Sequence, residues 1–235
     1  MVADYYRELA AQRLSVSEKA IADGDAFAKQ VVSHNAIRDF EALAGTMPPD
    51  ARQVFVLGIR EFQYALEAVI GGNYRHAHIS LRLAFELWVA SIRFSADLLK
   101  LKLWMAGTED LLWSTLNDPD KGLFSHTFLN AFFPELKEYR MQYLGLSNTV
   151  YRECSEYVHG NPHTHEPVDA ARTYDRDKFL EFHDRVETVR LCVLFGYACR
   201  FLKDLDNGKL PTIEPLISEA FGELSEIQDF FGAAR

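Results

Sequence analysis

The sequence predicts an all-α protein, a multi-helix bundle of about eight helices. Almost every segment between turn signals repeats its apolar residues at the i, i+3, i+4, i+7 spacing of an amphipathic helix. No run alternates apolar and polar residues with the period of two that a half-buried strand needs, and no internal repeat is present. A hydrophobic content of 48% with 13% aromatics supplies a packed core, which argues against disorder.

The elements follow in order. Tyr5 to Ala22 sets Tyr6, Leu9, Ala10 and Leu14 on one side; Asp23-Gly24-Asp25 offers a break and a cap, and Ala26 to Ala44 continues as helix. Gly45 and Pro48-Pro49-Asp50 make the clearest early boundary. The chain therefore divides into an N-terminal helical arm, residues 1–47, and a helical bundle domain, residues 48–235. The arm either packs on the bundle or serves dimerisation. Asp50 to Ile70 turns Val54, Leu57, Phe62, Leu66 and Val69 inward, and Gly71-Gly72-Asn73 is a turn. Tyr74 to about Met105, the most apolar helix, is expected at the centre. Glu109 to Leu116 is short, Asn117 to Gly122 is a loop, and Ser125 to Phe133 is short and aromatic. Pro134 opens the next helix, and Gly145 separates it from the one ending at His159. A long helix runs from about Tyr174 to Leu205, with Phe179, Phe182, Val186, Val189, Val193, Phe195 and Tyr197 apolar, and Pro215 to Phe231 closes the chain.

Charge and cysteine usage exclude several functions. A net charge of −9 argues against an extended surface that coats nucleic acid, yet suits a small RNA site with local cations or a surface that docks on a protein. Cys154, Cys192 and Cys199 form no Cys-x-x-Cys pair and read as reduced core thiols of a cytoplasmic protein. The N-terminus lacks the apolar stretch of a signal peptide. The apolar segment Ile79 to Met105 is interrupted by Arg82, Glu86, Arg93, Asp97, Lys100 and Lys102, which rules against a membrane span. Gly71-Gly72 lacks the lysine and hydroxyl of a phosphate-binding loop, and no Gly-x-Ser-x-Gly nucleophile turn occurs, so no cofactor is indicated.

The stretch most charged with chemistry is NTVYRECSEYVHGNPHTHE, Asn148 to Glu166. Val150, Cys154, Tyr157 and Val158 make an apolar stripe, and Asn148, Arg152, Ser155, Glu156 and His159 a polar one. The helix is expected to end at His159, because Gly160 suits a left-handed C′ position and Pro162 cannot continue it. Arg152 and His159 then share a face within about 20° and stand about 10 Å apart along the axis. They read either as an Arg152–Glu156 pair plus a histidine favoured by the helix C-terminus, or as a cation and an imidazole that hold and cleave a phosphodiester. The apolar helix before it carries a narrow polar line of Arg75, His78, Arg82, Glu86, Arg93, Asp97 and Lys100. This line is either a solvent edge with Arg82–Glu86 and Arg93–Asp97 pairs, or a second wall in which Arg82 and Glu86 face the stripe.

Arg152-x6-His159 near the end of a late helix resembles the Arg-x4–6-His motif of the HEPN superfamily, over roughly Asn73 to Asn207. The resemblance implies a metal-independent RNase, or an effector derived from one, of the toxin or abortive-infection type in bacterial defence. Arg152 and His159 would be catalytic, with Asn148, Ser155, Glu156, Arg82 and Glu86 as a supporting polar pocket. It also implies a homodimer that brings two imidazoles to an RNA substrate, and a protein partner such as an antitoxin. Glu153 stands after the motif arginine, where the family often has a small polar or amide residue. A non-catalytic helical interaction protein using the same stripe is the alternative. His159, His163, His165 and Glu166 have donor types suited to zinc, but Gly160 and Pro162 break the i, i+4 register, so no metal is expected.

Overall fold

A computed structural model describes residues 1–159, 161–165 and 172–233, and every statement below concerns these. Eleven α-helices and no strand occur among them. The first four are α1 (Val2–Ala22), α2 (Gly24–Thr46), α3 (Pro49–Ile70) and α4 (Tyr74–Phe94). Then come α5 (Leu98–Met105), α6 (Trp113–Leu116), α7 (His126–Phe132) and α8 (Arg140–Glu156), followed by α9 (Arg176–Phe201), α10 (Leu210–Phe221) and α11 (Ser225–Ala233).

The count exceeds the expected eight for local reasons. The helix foreseen from Tyr74 to Met105 breaks at residues 95–97, where the Asp97 carboxylate accepts from the Lys100 N–H at 3.2 Å and caps a new helix. Arg93 accordingly donates to the Lys121 carbonyl at 2.9 Å and forms no pair with Asp97. The terminal helix starts earlier than foreseen, at Leu210 with Pro211 in its first turn, and ends at Phe221 before α11 begins.

The centre of the core is Trp88 of α4. Its ring lies 4.1 Å from Phe40 of α2, 6.0 Å from Phe55 and 5.6 Å from Phe62 of α3. Its indole N–H donates to the Phe55 carbonyl at 3.1 Å, so the one polar atom of a fully buried side chain is satisfied. α3 and α4 approach closely because residue 58 is glycine: a Cβ there would meet Trp88 Cδ1 and Nε1 at 2.6 Å. α9 crosses behind and packs on α2, α3, α4, α7, α8 and α10, with every apolar position named above buried. α2 shares this core through Phe40, Leu43 and Ala44.

One inward assignment does not hold. Leu57 is 51% exposed, because Gly58 and not its neighbour faces Trp88. On α1 the buried residues are Val16 and Ala20, while Tyr6 and Leu14 lie outside; only the C-terminal half of α1 meets the bundle. All three cysteines are buried and unbridged. No helix of the described residues is long and apolar enough to cross a membrane.

Candidate functional site

α8 buries Tyr143, Leu144, Ser147, Val150 and Cys154 and has three other faces, each with its own surroundings. The first flank meets α4 and α6. Arg82 reaches across from α4: its Nε donates to Ser155 Oγ at 3.0 Å, and its terminal nitrogen donates both to Glu86 Oε1 at 3.3 Å and to the Tyr151 hydroxyl. Tyr151 passes a hydrogen bond on to Glu86 Oε1 at 2.7 Å. The guanidinium lies 4.7 Å from the Tyr151 ring centroid, and Trp113 of α6 stacks on that ring at 4.0 Å. Burial, then the bond to Glu86, pushes the Tyr151 phenol up to about 12, so it remains a donor. Asn148 closes this flank by accepting from Trp113 Nε1 at 3.2 Å and Asn117 Nδ2 at 2.8 Å.

The second flank meets α9. Arg185 donates to Glu153 Oε2 at 3.1 Å, to Glu181 Oε1 at 2.5 Å and to His78 Nε2 at 2.8 Å. His78 Nδ1 faces the Tyr74 carbonyl at 2.8 Å. A carbonyl only accepts and a guanidinium only donates, so His78 is neutral with its proton on Nδ1. Burial, with the nearby Arg185 charge, holds its pKa down to about 3 against the weaker pull of the Tyr74 bond. The imidazole stacks on Tyr157 at 4.0 Å with the planes 3° apart, which pins the last turn of α8.

The third face is open. Arg152, Glu156 and His159 are exposed, and among the described residues neither Arg152 nor His159 makes a side-chain hydrogen bond or ion pair. The Arg152–Glu156 pair is absent there too. The regular helix ends at Glu156, three residues before the expected end. The chain keeps its helical sense to His159 through N–H bonds from Tyr157 to the Cys154 carbonyl (3.3 Å) and from Val158 and His159 to the Ser155 carbonyl (3.0 and 3.1 Å). These tighter steps add twist, so His159 stands within about 20–40° of Arg152 around the axis. Gly160 and Glu166, with the side chain of His163, lie outside the described residues, and with them half of the zinc set.

Of the residues singled out from the sequence, Arg82, Glu86, Ser155 and Asn148 converge on one flank of α8. Arg152, Glu156 and His159 line the open face beside it. The polar line of α4 is therefore no solvent edge over this length: His78 and Glu86 are buried, and Arg82 is half-buried. Arg82 and Glu86 support the motif helix through Tyr151 and Ser155 and touch neither Arg152 nor His159. Tyr151, Trp113, His78 and Arg185 were not foreseen. Tyr151 had a signal, since it falls three residues after Asn148 and four before Ser155 on the same flank. Glu153, the departure from the family pattern, is paired with Arg185. Searches of family models, curated proteins and solved structures found no match to this chain.

Proposed function

We propose that this chain is a HEPN-like, metal-independent endoribonuclease, or an effector derived from one, that acts as a homodimer with the open faces of two α8 helices on one cleft. The observation that carries the reading is the contrast between the faces of α8. The flank residues Asn148, Tyr151, Glu153 and Ser155 are each matched, whereas Arg152 and His159 stand in solvent without a partner among the described residues. An unmatched guanidinium and an imidazole on one open face supply what RNA cleavage needs: charge for the phosphorane and a nitrogen that can take or give a proton.

In this mechanism the 2′-oxygen attacks phosphorus and the P–O5′ bond breaks. His159 of one copy takes the 2′-hydroxyl proton, and His159 of the other gives a proton to the leaving 5′-oxygen. Arg152 holds the non-bridging oxygens through its fork of N–H donors. One imidazole cannot serve both transfers at once, which is why the reading requires two copies. The non-catalytic alternative uses the same face for a protein partner, and Met141, 60% exposed in the first turn of α8, is the observation that favours it.

The test is cleavage of labelled RNA in EDTA by wild type, Arg152→Ala and His159→Ala, with thermal unfolding of each. His159→Ala is expected to lower the rate roughly 100- to 10,000-fold, and Arg152→Ala about 100- to 1,000-fold. Stability should change by no more than about 0.5 kcal/mol, because both residues are exposed. Intact RNA with wild type, variants as active as wild type, or a strict monomer in light scattering would each overturn the reading.

A further inference from the structure

α4 and α8 run antiparallel, so the start of α4 lies beside the end of α8. Arg82 meets Ser155, and Arg75, two turns earlier on α4, meets Thr164 just beyond the end of α8. Arg75 donates to Thr164 Oγ1 at 3.3 Å; the same hydroxyl lies 3.3 Å from the Glu156 carbonyl and 2.9 Å from the Asn161 carbonyl. Thr164 is thus brought back against the end of α8, with the Arg75 guanidinium one hydroxyl away from the Glu156 carbonyl.

The chemistry of Arg75 differs from that of the arginines behind α8. Arg82 and Arg185 are matched by carboxylates, but Arg75 has a neutral hydroxyl for a partner and no carboxylate among the described residues. It is half-buried, and it stands in the first turn of α4, which holds no acidic residue. A cation there is disfavoured by the helix dipole, so its placement is not explained by the stability of α4. In a chain of net charge −9, Arg75 and Arg152 are two cations with no carboxylate partner among the described residues, one from α4 and one from α8.

We infer that Arg75 binds a second phosphate of the substrate, next to the one held by Arg152. The substrate is therefore a single strand of RNA that continues past the cleaved bond, not a lone phosphodiester. This rests on the RNase reading for the identity of the ligand, but its test does not need cleavage.

The probe is a short fluorescein-labelled oligonucleotide with 2′-O-methyl groups throughout, which lacks the attacking hydroxyl. Its affinity is measured by anisotropy over a range of salt concentrations. Arg75→Gln keeps a donor for Thr164 and removes the charge; Arg75→Lys keeps the charge. Arg75→Gln is expected to weaken binding and to lower the magnitude of the slope of log K against log salt by about 0.7, the contribution of one phosphate contact in a single strand. Arg75→Lys should restore the slope. An Arg75→Gln slope equal to that of wild type overturns the inference and leaves Arg152 and His159 untouched. Absence of binding by wild type overturns this inference and the RNA reading together. Arg75-dependent binding by a protein that cleaves no RNA upholds Arg75 and removes the catalytic claim.

Discussion

Arg82→Met tests what holds the motif helix in place. Arg82 is 22% and Glu86 10% exposed along their side chains, so the pair sits at the edge of the core. Removing the guanidinium leaves the Glu86 carboxylate with a single hydrogen bond, from Tyr151 at 2.7 Å. Ser155 keeps its bond to the Tyr151 carbonyl at 2.7 Å, so the cost falls on Glu86. Breaking a fully buried pair costs about 3–5 kcal/mol; partial exposure of Arg82 and the surviving Tyr151 bond reduce this to about 2–3 kcal/mol. For a chain of this size that lowers Tm by about 5–10 °C. Adding Glu86→Gln removes the stranded charge and should recover about 1–2 kcal/mol, a coupling typical of residues in one network. The assay is urea unfolding followed by far-UV circular dichroism, with an unchanged m-value as the sign that only stability has moved. An Arg82→Met effect below about 0.5 kcal/mol, or no recovery with Glu86→Gln, would refute the claim that this network ties α8 to α4.

Two further outcomes follow from the core. His78 and His183 are buried, and burial holds their pKa values down to about 3 and about 4 against 6.5 when unfolded. The unfolded chain alone takes up these protons below 6.5, so stability is fully present above that pH and falls as pH drops. The loss is about 2 kcal/mol per histidine by pH 5. Urea midpoints measured against pH should show this fall, and His78→Gln should make it shallower; a flat profile between pH 6.5 and 5 would contradict the assignment. Gly58→Ala gains helix propensity of about 1 kcal/mol, yet its Cβ would stand 2.6 Å from a Trp88 ring boxed by three aromatics. With the ring unable to give way, overpacking costs about 3 kcal/mol and wins, so a net loss of about 2 kcal/mol is expected in thermal unfolding.

The fold class and the buried faces of α3 and α9 were legible because apolar periodicity records burial directly, from Val54 to Val69 and from Phe179 to Tyr197. The break before α5 was harder to read, because Asp97 fits both a continued polar line and a cap, and tertiary packing chose the cap. The spacing of Arg152 and His159 pointed to a shared face on the expectation of one helix to His159, whereas the regular helix ends at Glu156 and turn-type N–H bonds carry the chain onward. The partners of Tyr151, Glu153 and Tyr157 come from α4, α6 and α9, and nothing local encodes which of them a flank will meet. The polar line of α4 stayed open between a solvent edge and a second wall for that reason: the burial of His78 depends on Tyr157 and Arg185, neither of them near it in the chain.

The double anchoring of α8 also bears on what a motif can mean. A 17-residue helix is marginal in water on its own, and this one is held by Arg82, 73 residues before Ser155, and by Arg185, 32 residues after Glu153. The same nineteen letters moved into another protein would keep the spacing of Arg152 and His159 and lose the posture that gives the spacing a purpose. A pattern that lacks the counterparts of Arg82 and Arg185 therefore counts helices rather than sites. The unit that holds this face in place is the three-helix assembly of α4, α8 and α9, and single substitutions far from the open face can unseat it without altering a letter of the stretch.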